Sequence, residues 1–192
     1  NCVKCTLALY KRIRDCGETI SAAQIMTFSM EHKGVCYRNS NLNPASAEEM
    51  QLRVTKRLSP NVARRVTAKT FAKAFLEQHR PLRNHRKLVL GAEFKSYLIR
   101  AMQNLSYDMK ILAQAERAVD EIGRDLTWAP SGDSWDDLYT ELQNLLAIYR
   151  KVDLNTVCKE VIFALSSVQI KPLDYTHIVK DEFQDTDDIQ YQ

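Results

Sequence analysis

Adjacent acidic residues follow a short apolar run near the end of the chain. Ile178 and Val179 are followed, after Lys180, by Asp181 and Glu182. A carboxylate at the end of a strand can hold Mg²⁺, and a neighbouring carboxylate can act as general base for an attacking water. These residues therefore indicate hydrolysis of a phosphate ester, with Asp181 in the metal shell and Glu182 as the base. A solvated acidic turn is the alternative interpretation of the same residues.

The acidic pair belongs to a longer pattern, DYTHIVKDEFQDTDDIQ, which runs from Asp174 to Gln190. It resembles motif II of the UvrD/Rep/PcrA group of superfamily 1 DNA helicases, in which an apolar strand ends in DEFQDT and a glutamine follows. The resemblance implies that Asp181 positions Mg²⁺, that Glu182 activates water and that Gln184 senses the γ-phosphate of ATP. The family has an apolar residue at the position of Lys180, which can pair with Asp181 or point away from it.

Two upstream segments keep the order of the same family. Residues 66–76, VTAKTFAKAFL, are similar to its TFHSFA segment, with Ala68 in place of Phe and Lys69 in place of His. Residues 25–29, IMTFS, resemble its strand ending in TFTN, and residues 47–54 resemble the AAxEMxxRV helix that follows it. Residues 30–46 between them are longer than usual and indicate an insertion.

The two upstream segments imply a contact with single-stranded DNA. By the resemblance, Phe28 and Thr67 with Lys69 face the DNA, and Phe28 provides a stacking surface. Stacking of a base on an aromatic ring tolerates any sequence and contributes about 1–3 kcal/mol. The alternative for Phe28 is a core residue in a buried strand.

The first residues of the chain depart from the family. Residues 1–13, NCVKCTLALYKRI, align without a gap to its AGSGKT phosphate loop and helix, so that Cys5 falls on the lysine and Thr6 on the Mg²⁺-binding hydroxyl. A register shifted by one residue puts Lys4 on the lysine and Cys5 on the hydroxyl. A phosphate loop needs glycines, so that its amides close around the phosphates, and a lysine as a point charge. Both registers lack the glycines, so Lys4, Cys5 and Thr6 form at best an eroded nucleotide site.

Charge is distributed unevenly along the chain. Residues 53–100 contain thirteen Lys and Arg against Glu77 and Glu93, a net charge of +11, whereas the whole chain carries +3. Such a basic segment attracts a polyanion and releases its counterions. Nucleic acid is therefore the predicted partner, and a solvated face of helices is the alternative.

Composition limits the class of protein. The sequence has no run of eighteen apolar residues and no signal-peptide pattern, so we expect no membrane partner. Its five cysteines have no framework spacing, which favours a reducing compartment: the cytoplasm, or the nucleus in a eukaryote. A zinc site formed by Cys2, Cys5 and Cys16 with His32 and Cys36 is a weaker interpretation.

The expected fold class is α/β, and the resemblance implies a RecA-like parallel sheet with an inserted all-helical subdomain. Short apolar strands near residues 24–28, 65–67 and 175–179 alternate with helices, which predicts one parallel sheet. From about residue 93 to residue 167 the pattern changes to helix after helix with apolar faces. The predicted domains are an incomplete RecA-like lobe (1–80 and 174–192) and a helical subdomain (81–173).

Three functions remain open from the sequence. The first is the leading lobe of an ATP-dependent DNA helicase, with Mg²⁺ and ATP as cofactors, single-stranded DNA as partner, and a second lobe whose motifs the sequence does not contain. The second is a catalytically silent relative that binds nucleic acid or protein. The third is an all-helical interaction domain with an accidental DEFQDT, which a parallel strand ending at Asp181 would exclude.

Overall fold

The structure, a computed structural model, describes residues 25–28 and 44–180. The described residues form two compact units. We name residues 25–28, 44–74 and 172–180 the sheet unit, and residues 75–171 the helical unit. Each is described by itself below.

The regular elements follow one another in this order. The strands are β1 (Ile25–Phe28), β2 (Val66–Lys69), β3 (Lys87–Leu88), β4 (Lys151–Val152) and β5 (His177–Lys180). The α-helices are α1 (Pro44–Thr55), α2 (Pro60–Ala63), α3 (Phe71–Gln78), α4 (Gly91–Asn104), α5 (Leu112–Arg124), α6 (Ser134–Ile148) and α7 (Leu154–Ser166). Arg80–Leu82 and Met109–Ile111 are 3₁₀ turns.

The sheet unit contains a three-stranded parallel sheet in the order β2-β1-β5. β1 is central, with Ile25 level with Val66 on one side and with His177 on the other. All three strands end at the same edge, because they are parallel and in register. The all-helical fold of the third interpretation is wrong, since β5 pairs in parallel up to Lys180.

The helical unit is built around one apolar core. Its buried side chains come mainly from α4, α5 and α6: Val89, Phe94, Leu98, Ala101, Met102, Ala115, Val119, Leu138, Tyr139, Leu142, Leu145 and Leu146. Along each helix they recur every three or four residues, so one stripe faces the core. Helix starts are fixed locally, as at α7, where the Asp153 carboxylate accepts a hydrogen bond from the Thr156 N–H at 3.0 Å.

The predicted fold class, an α/β RecA-like sheet with an inserted all-helical subdomain, is wrong. Helices make up most of the described residues, and each strand has only two to four residues. The helical unit is also not all-helical, since β3 and β4 pair in parallel. The RecA-like sheet was implied by the resemblance, whereas no strand among the described residues is longer than four residues. The local prediction of three parallel strands in one sheet is confirmed.

Candidate nucleic-acid interface

The carboxyl edge of the three-stranded sheet brings together residues from three distant parts of the sequence. The Cα atom of Phe28 is paired with that of Lys69 in β2 and that of Lys180 in β5. Neighbouring strands lie about 4.8 Å apart, so the three positions form one short row. Two of these positions carry lysine, and Asp181 follows Lys180 in the sequence. Loops at the carboxyl ends of parallel strands are where α/β proteins place ligands.

A glutamine from α1 holds the outer edge of β2. The side-chain amide of Gln51 donates to the Val66 carbonyl at 2.8 Å, and its oxygen accepts from the Ala68 N–H at 2.7 Å. β2 is the outermost strand of this sheet, so these two backbone groups point away from β1. The amide takes the place of a neighbouring strand and satisfies both groups. The backbone that carries Thr67 and Lys69 is thereby fixed on both sides.

The residue after β2 begins the next helix. Thr70 is buried, and its hydroxyl accepts a hydrogen bond from the Lys73 N–H at 3.2 Å at the start of α3. Ala74, one residue further, packs with Phe71, Leu173 and Tyr175 within the sheet unit. Lys73 is exposed in the first turn of α3, four residues after Lys69 at the end of β2. The carboxyl edge of β2 therefore carries two lysines, Lys69 and Lys73, on a backbone held by packing.

The basic segment 53–100 is divided between the two units, and several of its cations already have partners. Arg53 pairs with Glu49 on α1, Lys95 contacts Glu116 at 2.6 Å, and the Arg100 guanidinium lies 5.1 Å from the ring centre of Tyr149. In the sheet unit, Arg64 and Arg65 directly precede β2. Three residue steps of about 3.3 Å separate Val66 from Lys69, which places these arginines at the opposite edge. The basic residues therefore do not form one continuous row of free charges.

A partly buried ion cluster lies in the helical unit. Both guanidinium terminal nitrogens of Arg86 donate to the carboxylate of Glu160, at 2.8 and 2.5 Å, and Nε2 of the buried His79 lies 2.6 Å from the same carboxylate. Burial alone would raise the pKa of Glu160, but hydrogen bonds from Arg86 and His79 outweigh it and hold that pKa below its ordinary value. The hydrogen bond to Glu160 likewise raises the pKa of Arg86. The cluster joins residues 74 and 81 positions apart and is fully paired.

A second carboxylate in this unit is enclosed by donors. Asp136 on α6 is buried and accepts hydrogen bonds from the Ser131 N–H and hydroxyl at 2.7 and 2.5 Å, and from the Trp128 indole at 2.7 Å. The bonds from Ser131 and Trp128 lower the pKa of Asp136. This arrangement fixes the turn before α6 and leaves the carboxylate no free face for a substrate.

The predicted site residues are only partly within the described chain. Thr67 and Lys69 lie in β2, partly buried, and Phe28 ends β1. The residues predicted to act on ATP and Mg²⁺, Asp181, Glu182 and Gln184 with Lys4, Cys5 and Thr6, lie outside the described residues, as do the candidate zinc ligands and the segment 30–43. Among residues 25–28 and 44–180, no group of three or more His, Cys, Asp or Glu could hold a metal ion.

No protein-family model matches this chain, and no curated protein matches it. Within the described ranges, none of the helices has the length and apolarity needed to cross a membrane.

Sequence reasoning missed Gln51 and the His79–Arg86–Glu160 cluster. Gln51 lies in the helix that the resemblance had located, but no local pattern distinguishes an amide that binds a strand from a solvated one. The partners in the ion cluster are too far apart in the sequence for helical or strand spacing to connect them. Buried polar residues with long-range partners carry no periodic signal.

Proposed function

We propose that this chain is part of an ATP-dependent DNA helicase or translocase, and that single-stranded DNA binds along the carboxyl edge of the three-stranded sheet. The observation that carries the proposal is the register of β1, β2 and β5. It sets Phe28 between Lys69 and Lys180, directly before the sequence DEFQDT. An aromatic residue flanked by cations suits a strand of nucleic acid, because bases stack on rings and phosphates attract lysines.

Hydrolysis would take place next to the same edge. Asp181 and Glu182 follow β5 directly in the sequence, and the resemblance to motif II gives them the roles of Mg²⁺ ligand and general base, with Gln184 as the γ-phosphate sensor. Mg²⁺ and ATP are the proposed cofactors. A second lobe, also implied by the resemblance, would complete the site, since transfer of the γ-phosphoryl group needs further positive charge in the transition state.

DNA binding at this edge is tested with a double variant. Lys69→Ala with Lys73→Ala removes two charges, so the slope of log affinity against log salt should fall by about one to two units for a fluorescent oligothymidine. The matched control, Lys110→Ala with Lys171→Ala, removes two exposed charges from the helical unit and should leave the slope nearly unchanged. An unchanged slope in the Lys69/Lys73 protein would place DNA elsewhere.

Stacking on Phe28 is tested separately from charge. Phe28→Leu keeps an apolar side chain in β1 but removes the ring, so affinity for the oligonucleotide should fall by the equivalent of about 1–3 kcal/mol with the salt slope unchanged. If Phe28 is a core residue instead, the substitution will lower thermal stability and leave the affinity of the folded protein as it was.

A catalytically silent relative is the second candidate, and one feature of the sequence favours it. In the ungapped register, Cys2 and Lys4 occupy glycine positions of the phosphate loop, and Cys5 replaces its lysine. Side chains at the glycine positions crowd the amides, and a neutral thiol leaves the triphosphate charge unbalanced. We expect weak or undetectable binding of Mg-ATP in calorimetry. Cys2→Gly, Lys4→Gly and Cys5→Lys together should restore binding, and tight binding by the unmodified chain would contradict the silent assignment.

A further inference from the structure

A tight turn in the helical unit connects Arg83 to Arg86. The Arg86 N–H donates to the Arg83 carbonyl at 2.8 Å, and the two central residues, Asn84 and His85, have φ angles of 45° and 62°. Positive φ at both central positions defines the type I′ class of turns, in which asparagine is favoured. The backbone therefore reverses within four residues and projects its side chains outward.

The turn is held in place by Arg86. Its guanidinium binds both oxygens of Glu160, and Glu160 is bound in turn by the buried His79. The Arg83 Nε also donates to the Arg86 carbonyl at 2.7 Å. The side chain of Arg86 is therefore engaged in hydrogen bonds to Glu160, and these bonds hold the backbone of the turn in place.

Several cations surround this turn without an acidic partner. Arg80, Arg83 and Lys87 are exposed, and none of them forms an ion pair with a described residue. Arg150 is also exposed, and its carbonyl accepts the Lys87 N–H at 2.9 Å, which brings a further cation beside the turn. We name residues 80–87 with Arg150 the cationic turn. Glu160 is already paired with Arg86 and His79, so its carboxylate does not balance the charges of Arg80, Arg83 and Lys87.

The backbone adds donors to the same place. Arg83 has helical angles (φ −60°, ψ −28°) and is followed by Asn84 with positive φ. Such a pair directs successive N–H groups toward one concave point, an arrangement that binds anions. Among the described residues, the N–H groups of Asn84 and His85 have no hydrogen-bond acceptor. Fixed amides and flexible cations are therefore combined at one turn.

We propose that the cationic turn binds the phosphate backbone of single-stranded nucleic acid, as a contact separate from the carboxyl edge of the sheet. The inference rests on the proposed function for the identity of the polymer. Phosphate oxygens suit both the guanidinium forks and the convergent N–H groups. An acidic protein would need an apolar centre in its interface, and the exposed side chains of residues 80–87 are charged or polar apart from Pro81.

The test is a triple variant that keeps the anchor. Arg80→Gln, Arg83→Gln and Lys87→Gln remove three charges and leave Arg86, Glu160 and His79 unchanged. Each phosphate contact to a single strand contributes about 0.7 to the salt slope, so the slope for oligothymidine should fall by about two units. The matched control, Lys110→Gln, Arg117→Gln and Lys171→Gln, removes three exposed charges from the same unit and should change the slope by less than half a unit.

The outcomes separate this inference from the proposed function. A fall in slope for the triple variant supports the cationic turn, whether or not Lys69→Ala with Lys73→Ala has an effect. An effect of the Lys69/Lys73 protein alone would leave the carboxyl edge as the DNA site and overturn the cationic turn. The inference is also overturned if the triple variant loses binding to polyglutamate while its oligothymidine slope is unchanged, since the partner would then be acidic protein. Loss of the unfolding transition in the triple variant would shift the test to Arg150→Gln, which should lower the slope by about 0.7.

Discussion

The helical unit and the sheet unit differ in where their polar residues lie. In the helical unit the buried polar side chains, His79, Asp136 and Asp153, have partners within the unit. In the sheet unit the strand ends carry Lys69 and Lys180 in one row. Paired polar groups inside a core stabilise one arrangement, whereas the strand ends of the sheet unit bring two lysine positions together at one edge. Stability and recognition are therefore expected to respond to different substitutions.

The largest expected effect is on the core of the helical unit. Leu142 is fully buried, so Leu142→Ala should lower the free energy of unfolding by about 2–5 kcal/mol. Urea unfolding followed by tryptophan fluorescence measures it, because Trp128 and Trp135 pack against this core. Val54→Ala in the sheet unit is the comparison, since Val54 is also 0% exposed. It should lower the free energy of DNA binding by more than it lowers the free energy of unfolding measured by tryptophan fluorescence. Equal effects on both readouts in the two proteins would show that the units unfold together and remove the contrast.

A smaller effect is expected from the ion cluster. Glu160→Gln should cost about 1–3 kcal/mol at pH 7, because Arg86 and His79 lose a charged acceptor. The pKa of Glu160 is lowered in the folded state, so its stabilisation is present above the unfolded value of about 4.3 and is lost as pH falls through the folded value. The two proteins should therefore converge in stability only when the pH has fallen through the lowered folded pKa of Glu160.

The control for Glu160 is a surface pair in the same unit. Glu93, about half exposed, contacts the Lys151 ammonium at 2.6 Å, so Glu93→Gln should cost less than about 1 kcal/mol. A Glu160→Gln protein as stable as this control from pH 7 to pH 4 would mean that the cluster does not stabilise the helical unit.

The smallest expected effect is a gain in stability at the end of α7. Val168 has φ 58°, a conformation that a β-branched residue adopts at a cost of about 1–2 kcal/mol, and its side chain is 85% exposed. The Gln169 N–H donates to the Ala164 carbonyl at 2.8 Å, which is the helix ending in which glycine is preferred. Val168→Gly should therefore raise the melting temperature by a few degrees, whereas Gln169→Gly should not. A lower melting temperature for Val168→Gly would show that the valine contributes contacts that outweigh the strain.

The sequence predicted the strands and helices better than the fold class. Alternation with helices predicted parallel strands near residues 24–28, 65–67 and 175–179, and the structure has three parallel strands at 25–28, 66–69 and 177–180. The helical faces around Leu98 and Leu142 were likewise visible as periodicity. The extent of the sheet was not visible, since it depends on pairing between strands that are far apart in the sequence.

The sequence identified candidate site residues only where the signal lies within one short segment. Thr67 and Lys69 were identified by their segment, and the register that sets Phe28 level with both lysines needed the structure. Gln51 and Glu160 could not be found, because each acts on groups 15 or more residues away. Nothing in helical or strand spacing distinguishes such residues from solvated ones.

Gln51 also opposes the pairing of a further strand with β2. Its amide occupies the outward Val66 carbonyl and Ala68 N–H, the two groups that a neighbouring strand would use first. A strand from another molecule could pair with β2 only after displacing this side chain. Because Gln51 is part of the same chain, it competes with such a strand for these two backbone groups. A further strand at β2 would therefore have to replace both hydrogen bonds that Gln51 makes.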